Sequence, residues 1–180
     1  MQKLDDQTQE ALLQQLKTQS IELNPQTKQI TLAPAIKVAP DAYAKGYVID
    51  RALVAAQQAV PHLQGILIDI GGDMRVWERF DNAVPAQILN VKDQAVAFSG
   101  QGYRDLAGQS HLLNPQTGQP VQTVEQCVVV GQCAADADAL ATALTATSAH
   151  EVIQLIEQLV GYEAQLVSTD GTQYQSSGWS

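Results

Sequence analysis

Cysteine is scarce in this sequence, and so is positive charge. The two cysteines, Cys127 and Cys133, match no zinc or redox spacing, and no further Cys or nearby His completes a ligand set. They read as buried thiols on a strand and the turn after it. Lys and Arg total 10 against 19 Asp and Glu, for a formal net charge of −9. A surface of that sign repels phosphate backbones and argues against a nucleic-acid partner. It also requires that an anionic ligand be held by a metal ion, a lysine or a helix N-terminus. No long apolar run is present, so no transmembrane segment is expected. The opening stretch MQKLDDQTQEALLQQLKTQ lacks the apolar core of a signal peptide and reads as an amphipathic helix. On that reading the chain stays where it is made, in the cytoplasm.

What is there suffices for a folded domain. The 180 residues are 45% apolar and only 16% charged, with much of the polar surface supplied by Gln. No linker divides the chain, so one domain over 1–180 is expected. Leu4, Leu12, Leu13 and Leu16 recur at helical spacing and predict a helix near 7–18. SIEL and ITLA flank the turn NPQTKQ as a hairpin. A second helix is predicted from 41 to about 60, with Tyr43, Tyr47, Val48, Leu53 and Val54 on its buried face, ended by Pro61. Gly46 inside it costs about 1 kcal/mol relative to Ala and demands a reason. GILIDI and DMRVWE read as strands joined at Gly71-Gly72, and AQILNV, QAVAFSG and EQCVVVG as further strands. Two helices follow, one over 135–145 and one starting at Ser148 with Glu151 completing a capping box. A hairpin around Asp170-Gly171 closes the chain. Strands and helices mix without βαβ alternation, so the expected class is α+β, an antiparallel sheet packed against helices.

Three groups of residues carry possible chemistry. In AYAKGYVID, Lys45 and Asp50 stand five apart and do not form an i, i+4 pair, so each is free to face a separate partner. Lys45 beside Gly46 suits close approach to a ligand, or is a lysine snorkelling along an amphipathic helix. In AADADALATAL, Asp138 and Thr142 share a helix face at i and i+4. Together they offer oxygens to a hard cation such as Mg²⁺; alternatively, Asp136 or Asp138 caps the helix and Thr142 packs. In FSGQGYRDLAGQSHLLNPQTGQP, His111 stands just before a turn, as a general base or as an ordinary surface histidine. His62 and His150 are assigned no function.

Taken in order, these stretches resemble the ApbE family of flavin transferases. The family's pattern runs from a K-G-Y-x-x-D helix through a G-G-D strand end, an S-G segment and an H-x-x-D-P-x-T-G loop to an A-D-A-L-A-T helix. Its counterparts here are AKGYVID, LIDIGGDMR, FSG, HLLNPQTG and ADALATAL, with LVSTDGTQYQSSG at the end. The resemblance implies transfer of FMN from FAD to a Ser or Thr hydroxyl of an acceptor flavoprotein, releasing AMP. It implies Mg²⁺ on Asp138, Thr142 and the backbone carbonyl of Ala42, with Lys45 and Gly46 at the phosphates. Asp50 would help hold the nucleotide end, Gly71 and Gly72 would leave room for the ligand, and Ser99 and Gly100 would line its pocket. His111 would be the base that takes the acceptor's proton.

The sequence departs from the pattern twice. The resemblance covers about residues 20–178 and only the C-terminal part of the family, whose N-terminal S-E-x-S-x-x-N segment has no counterpart here. Asn114 stands where the family's loop carries Asp, which keeps the turn and removes a charge. Besides an active transferase, the readings are therefore a binding-only relative and a truncated fold stabilised by association, for instance as a homo-oligomer. The family often works outside the cytoplasmic membrane, whereas this sequence carries no signal for export.

Overall fold

The computed structural model describes residues 5–18, 21–34, 36–78, 91–101 and 110–179. Its elements in chain order are α1 (Asp6–Thr18), β1 (Ile21–Asn24), β2 (Gln29–Leu32), α2 (Asp41–Ala59), β3 (Gly65–Ile70) and β4 (Asp73–Glu78). There follow β5 (Ala95–Gly100), β6 (Val124–Gly131), α3 (Ala134–Thr145), α4 (Ala149–Ile156), β7 (Glu163–Ser168) and β8 (Gln173–Gln175). Strands β3 to β8 form one antiparallel sheet in which chain order is also spatial order, with α3 and α4 inserted between β6 and β7. This is the α+β arrangement expected. The strand expected at AQILNV falls, except for Val91, outside the described residues.

Period-2 alternation sorts the central strands into two faces. Ala95 and Ala97 of β5, Cys127 and Val129 of β6 and Ala164 and Leu166 of β7 turn toward the helices. There they meet Ile49 of α2, Ala134, Ala137, Ala141 and Leu144 of α3, and Val152 and Ile156 of α4. Val96, Val128 and Val130 form a smaller cluster with Met74, Phe98 and Trp179. Alanines on both sheet and α3 let the two layers approach closely. Helix α4 opens with the expected capping box, Ser148 and Glu151 satisfying each other's backbone N–H groups.

The expected buried face of α2 needs correction. Tyr43, Tyr47, Val48 and Val54 of α2 are exposed, and the two tyrosine rings stack on the surface with centroids 6.2 Å apart. The buried stripe is Gly46, Ile49 and Leu53, because α2 meets α3 backbone to backbone and the smallest residue marks the contact. A Cβ at Gly46 would lie 2.1 Å from the carbonyl oxygen of Ala134. In α1, Leu12 and Leu16 are likewise exposed. Between β1 and β2 the register pairs Ile21 with Leu32 and Leu23 with Ile30, so one face of that ribbon is wholly apolar; these four residues are between 37% and 70% exposed.

The turns follow their residues. Gly71 and Gly72 have φ of 63° and 97° and form the two-residue join of β3 and β4, which only glycine makes cheaply on both positions. The two NPQT segments fold alike. Asn24 Oδ1 accepts from the N–H groups of Gln26 and Thr27, and Asn114 Oδ1 from those of Gln116 and Thr117. Each turn ends on a left-handed residue, Lys28 at φ 55° and Gly118 at φ 66°.

Gly46→Ala gives a prediction whose sign separates packing from helix propensity. On propensity alone it should stabilise by about 1 kcal/mol. Because the added methyl collides with α3 backbone, it is expected instead to cost about 1–3 kcal/mol, read from the urea midpoint.

Candidate active site

A cleft of about 770 Å³ opens where the N-terminal half of α2, the β3–β4 turn, the end of β5, the start of β6 and α3 converge. Its wall includes Ala42, Lys45, Gly71, Ser99, Gly100, His111, Asp138 and Thr142. Eight of the residues singled out from the sequence thus share one cavity. Gly46, Asp50 and Gly72 do not line it, and each has a local explanation: Gly46 is the α2–α3 contact, and Gly72 is required by its φ.

Asp50 serves α3. Its two carboxylate oxygens accept from the N–H groups of Ala134 and Ala135 at 3.0 and 2.9 Å. Cys133, which precedes the helix, makes no side-chain cap, so a residue of α2 caps α3 in its place. Arg75 Nε lies 3.9 Å from Asp50 Oδ1, and Arg75 Nη1 donates to the carbonyl of Asp93. Asp136 accepts from the Tyr162 hydroxyl rather than capping the helix.

The electrostatic centre of the cleft is Lys45. Its ammonium donates to Asp73 Oδ2 and lies 3.8 Å from Asp138 Oδ1. Both acids are buried, Asp73 at 1% exposure and Asp138 at 3%. Asp73 Oδ1 accepts from the Phe98 N–H at 3.1 Å, and Asp138 Oδ2 from the Gly46 N–H at 3.4 Å. Burial, and next the nearby Asp73 charge, raise the pKa of Asp138; Lys45 and the Gly46 N–H pull the other way. Asp73 was not named as a site residue from the sequence, although the GGD string that ends in it was. Its role depends on partners 25 and 28 residues away and has no local signature.

Asp138, Thr142 and Ala42 all line this one cavity, and the carboxylate and hydroxyl oxygens there suit a hard cation that keeps waters and ligand phosphates in its remaining positions. Among the described residues no group of three or more His, Cys, Asp or Glu is placed to hold a metal ion. His111 is exposed on the rim of the cleft. Asn114 is tied elsewhere: its side-chain NH₂ donates to the Ala146 carbonyl at 3.2 Å, beyond the end of α3. Cys127 is fully buried, with its thiol pushed up to about 12 by burial, and Cys133 Sγ lies 3.7 Å from the Tyr162 hydroxyl.

The fold is thus an antiparallel sheet packed against helices, and it opens a cleft that presents a lysine, a buried acid and a hydroxyl. The chain belongs to the ApbE family, whose model matches residues 1–166. It is 29% identical over 137 residues to the FAD:protein FMN transferase of Chlamydia trachomatis serovar D, spanning 67% of this chain and 42% of that protein. Its fold is similar to the ApbE protein of Thermotoga maritima, with a TM-score of 0.78, 23% identity and coverage of 98% of this chain and 63% of that one. It is similar also to the flavinyl transferase ApbE of Pseudomonas stutzeri, with a TM-score of 0.75, 23% identity and coverage of 98% and 60%. The chain therefore spans less than two thirds of the length of these relatives. No helix among the described residues is long and apolar enough to cross a membrane.

Two substitutions probe this geometry. A carboxyl whose folded pKa lies above its unfolded value is more favourable to folding when protonated, so its contribution improves as pH falls through the folded pKa and is unfavourable above it. Asp138→Asn is therefore expected to raise the urea midpoint of the metal-free chain at neutral pH, with a gap from the original chain that closes as pH falls. A lower midpoint at neutral pH would mean that Lys45 more than offsets the burial. Asn114→Asp removes the donor to Ala146 and sets a carboxylate against a carbonyl oxygen. It is expected to cost about 1–2 kcal/mol in thermal or urea unfolding.

Proposed function

We propose that this chain is an FMN transferase, moving FMN from FAD to a Ser or Thr hydroxyl of an acceptor flavoprotein. The observation that carries the reading is the convergence on one cleft of Ala42, Lys45, Ser99, Gly100, His111, Asp138 and Thr142, drawn from separated parts of the chain. A protein of net charge −9 needs local cations to hold a pyrophosphate, and Lys45 supplies one on the cleft wall. Asp138, Thr142 and the Ala42 carbonyl would hold Mg²⁺. Once bound, the ion would supply positive charge to the pyrophosphate and to the departing phosphate oxygen. Ser99 and Gly100 would border the nucleotide.

His111 would take the proton from the acceptor hydroxyl. That oxygen forms a bond to the phosphorus of the FMN half while the bond to the AMP oxygen breaks. The products are a phosphoester-linked flavin and AMP. Asp50 and Gly46 contribute by holding α3 against α2, so that Asp138 and Lys45 face the same space.

A second reading, binding of the flavin nucleotide without transfer, is favoured by the neutral Asn114 in the loop that bears His111, whose amide is turned to the Ala146 carbonyl. The two readings separate on incubation with FAD, Mg²⁺ and an acceptor flavoprotein, followed by AMP release and covalent flavin fluorescence. AMP and labelled acceptor are the expected result, and FAD binding with neither would leave the binding-only reading. His111→Ala is expected to lower transfer by roughly 10²–10⁴-fold while FAD affinity stays within a few-fold. Equal losses in transfer and affinity would remove His111 from the role of base.

A further inference from the structure

Behind the cleft wall, bonded to Lys45, lies one more buried acid than the proposed cation set uses, Asp73. Asp73 is satisfied on both oxygens by direct bonds, to the Lys45 ammonium and to the Phe98 N–H. Asp138 has weaker support: a 3.4 Å contact from the Gly46 N–H and the Lys45 ammonium at 3.8 Å. One lysine thus serves two buried carboxylates, bonded to one and merely near the other. The acid it serves less well lies on the cleft wall together with Thr142.

The geometry points to a cation exchange in which Lys45 is the resident counter-ion of Asp138 until a divalent ion arrives, and Asp73 is the positioning residue that retains the displaced lysine. The inference rests on the reading that Asp138 is a metal ligand. It adds that metal entry competes with a lysine already in place, and that this lysine is kept at the cleft for the ligand's anionic oxygens. The physical reason is the cost of leaving a buried carboxylate without positive charge, which a shared lysine lowers for the empty cleft. Asp73 limits how strongly that lysine resists the metal, because it pulls the ammonium away from Asp138.

Two substitutions should then act in opposite directions on metal affinity. Lys45→Met removes the competitor and is expected to tighten Mn²⁺ binding by about tenfold, equivalent to about 1.4 kcal/mol. Asp73→Asn releases Lys45 onto Asp138 and is expected to weaken Mn²⁺ binding by a similar factor. The measurement is calorimetric titration of the whole chain with Mn²⁺, with Asp138→Ala as the reference that lacks the site. Lys45→Gln, which keeps a hydrogen-bond donor, is run in parallel and should also tighten binding. It covers the case in which Lys45→Met leaves two acids unpaired and fails to fold. If Asp138-dependent Mn²⁺ binding is present but neither lysine substitution tightens it, the exchange is overturned and the metal reading stands. Weakening by both Lys45 and Asp73 substitutions would likewise mark the pair as structural and overturn it. If the original chain binds Mn²⁺ no better than Asp138→Ala, the exchange and the metal reading fail together.

Discussion

The cleft depends on Asp50, a residue that does not line it. By giving both carboxylate oxygens to the first N–H groups of α3, Asp50 caps a helix that has no side-chain cap of its own and pins it to α2. The pin sets the register of two helices that run in opposite directions. One turn back along α2 from Asp50 is Gly46, and one turn forward along α3 from Ala134 is Asp138; these two are in contact. A further turn in each direction reaches Ala42 and Thr142, which share the cleft wall. A slip of one residue in either helix would rotate its side chains by about 100° and take Asp138 away from Lys45.

Close approach of the two backbones is what makes that register matter. Gly46 lies so near Ala134 that no side chain fits between them, and α3 presents Ala134, Ala137 and Ala141 to the core. Small residues on this helix bring Asp138 down to the sheet, where Asp73 begins β4. The resulting pair of buried acids is unfavourable in an acidic chain unless a cation stands between them, and Lys45 supplies it. The short helix contact, the glycine and the acid pair are thus parts of one arrangement.

Much of the fold was legible because its signals are local. The hairpins at NPQT, Gly71-Gly72 and Asp170-Gly171, the capping box at Ser148 and the run EQCVVVG each depend on neighbours a few residues apart. The buried face of α2 was misread because large apolar side chains were taken to mark it. The stripe is Gly46, Ile49 and Leu53: Leu53 was read correctly, but the stripe starts from a glycine whose burial by backbone contact has no hydrophobic signal. In the site, Lys45, His111, Asp138 and Thr142 stood out as chemically able residues and do share a cavity. Asp50 stood out equally, but its partner is the end of a helix, and nothing in the spacing of residues 45 and 50 distinguishes a cap from a ligand contact. Asp73 was passed over because it reads only as the first residue of the strand DMRVWE, with nothing local to show where its side chain goes. The nearby turn contact belongs to Asp69, which accepts from Gly72, whereas Asp73 turns inward.

The twin turns show how the same local chemistry acquires different consequences. In both NPQT segments the asparagine Oδ1 makes the same two turn contacts, so the turn itself does not separate them. What separates them is the fifth residue and the neighbours. Lys28 pays for a left-handed backbone on an exposed hairpin, whereas Gly118 takes it freely and lies against Gln9 and Leu13 of α1. Asn114 adds a bond that its twin at Asn24 does not share, from its amide to Ala146 past the end of α3. An aspartate cannot donate that bond. Asn114 therefore anchors the loop bearing His111 to the helix bearing Asp138 and Thr142, and the asparagine that departs from the family pattern has its physical reason in that neutral, donating contact.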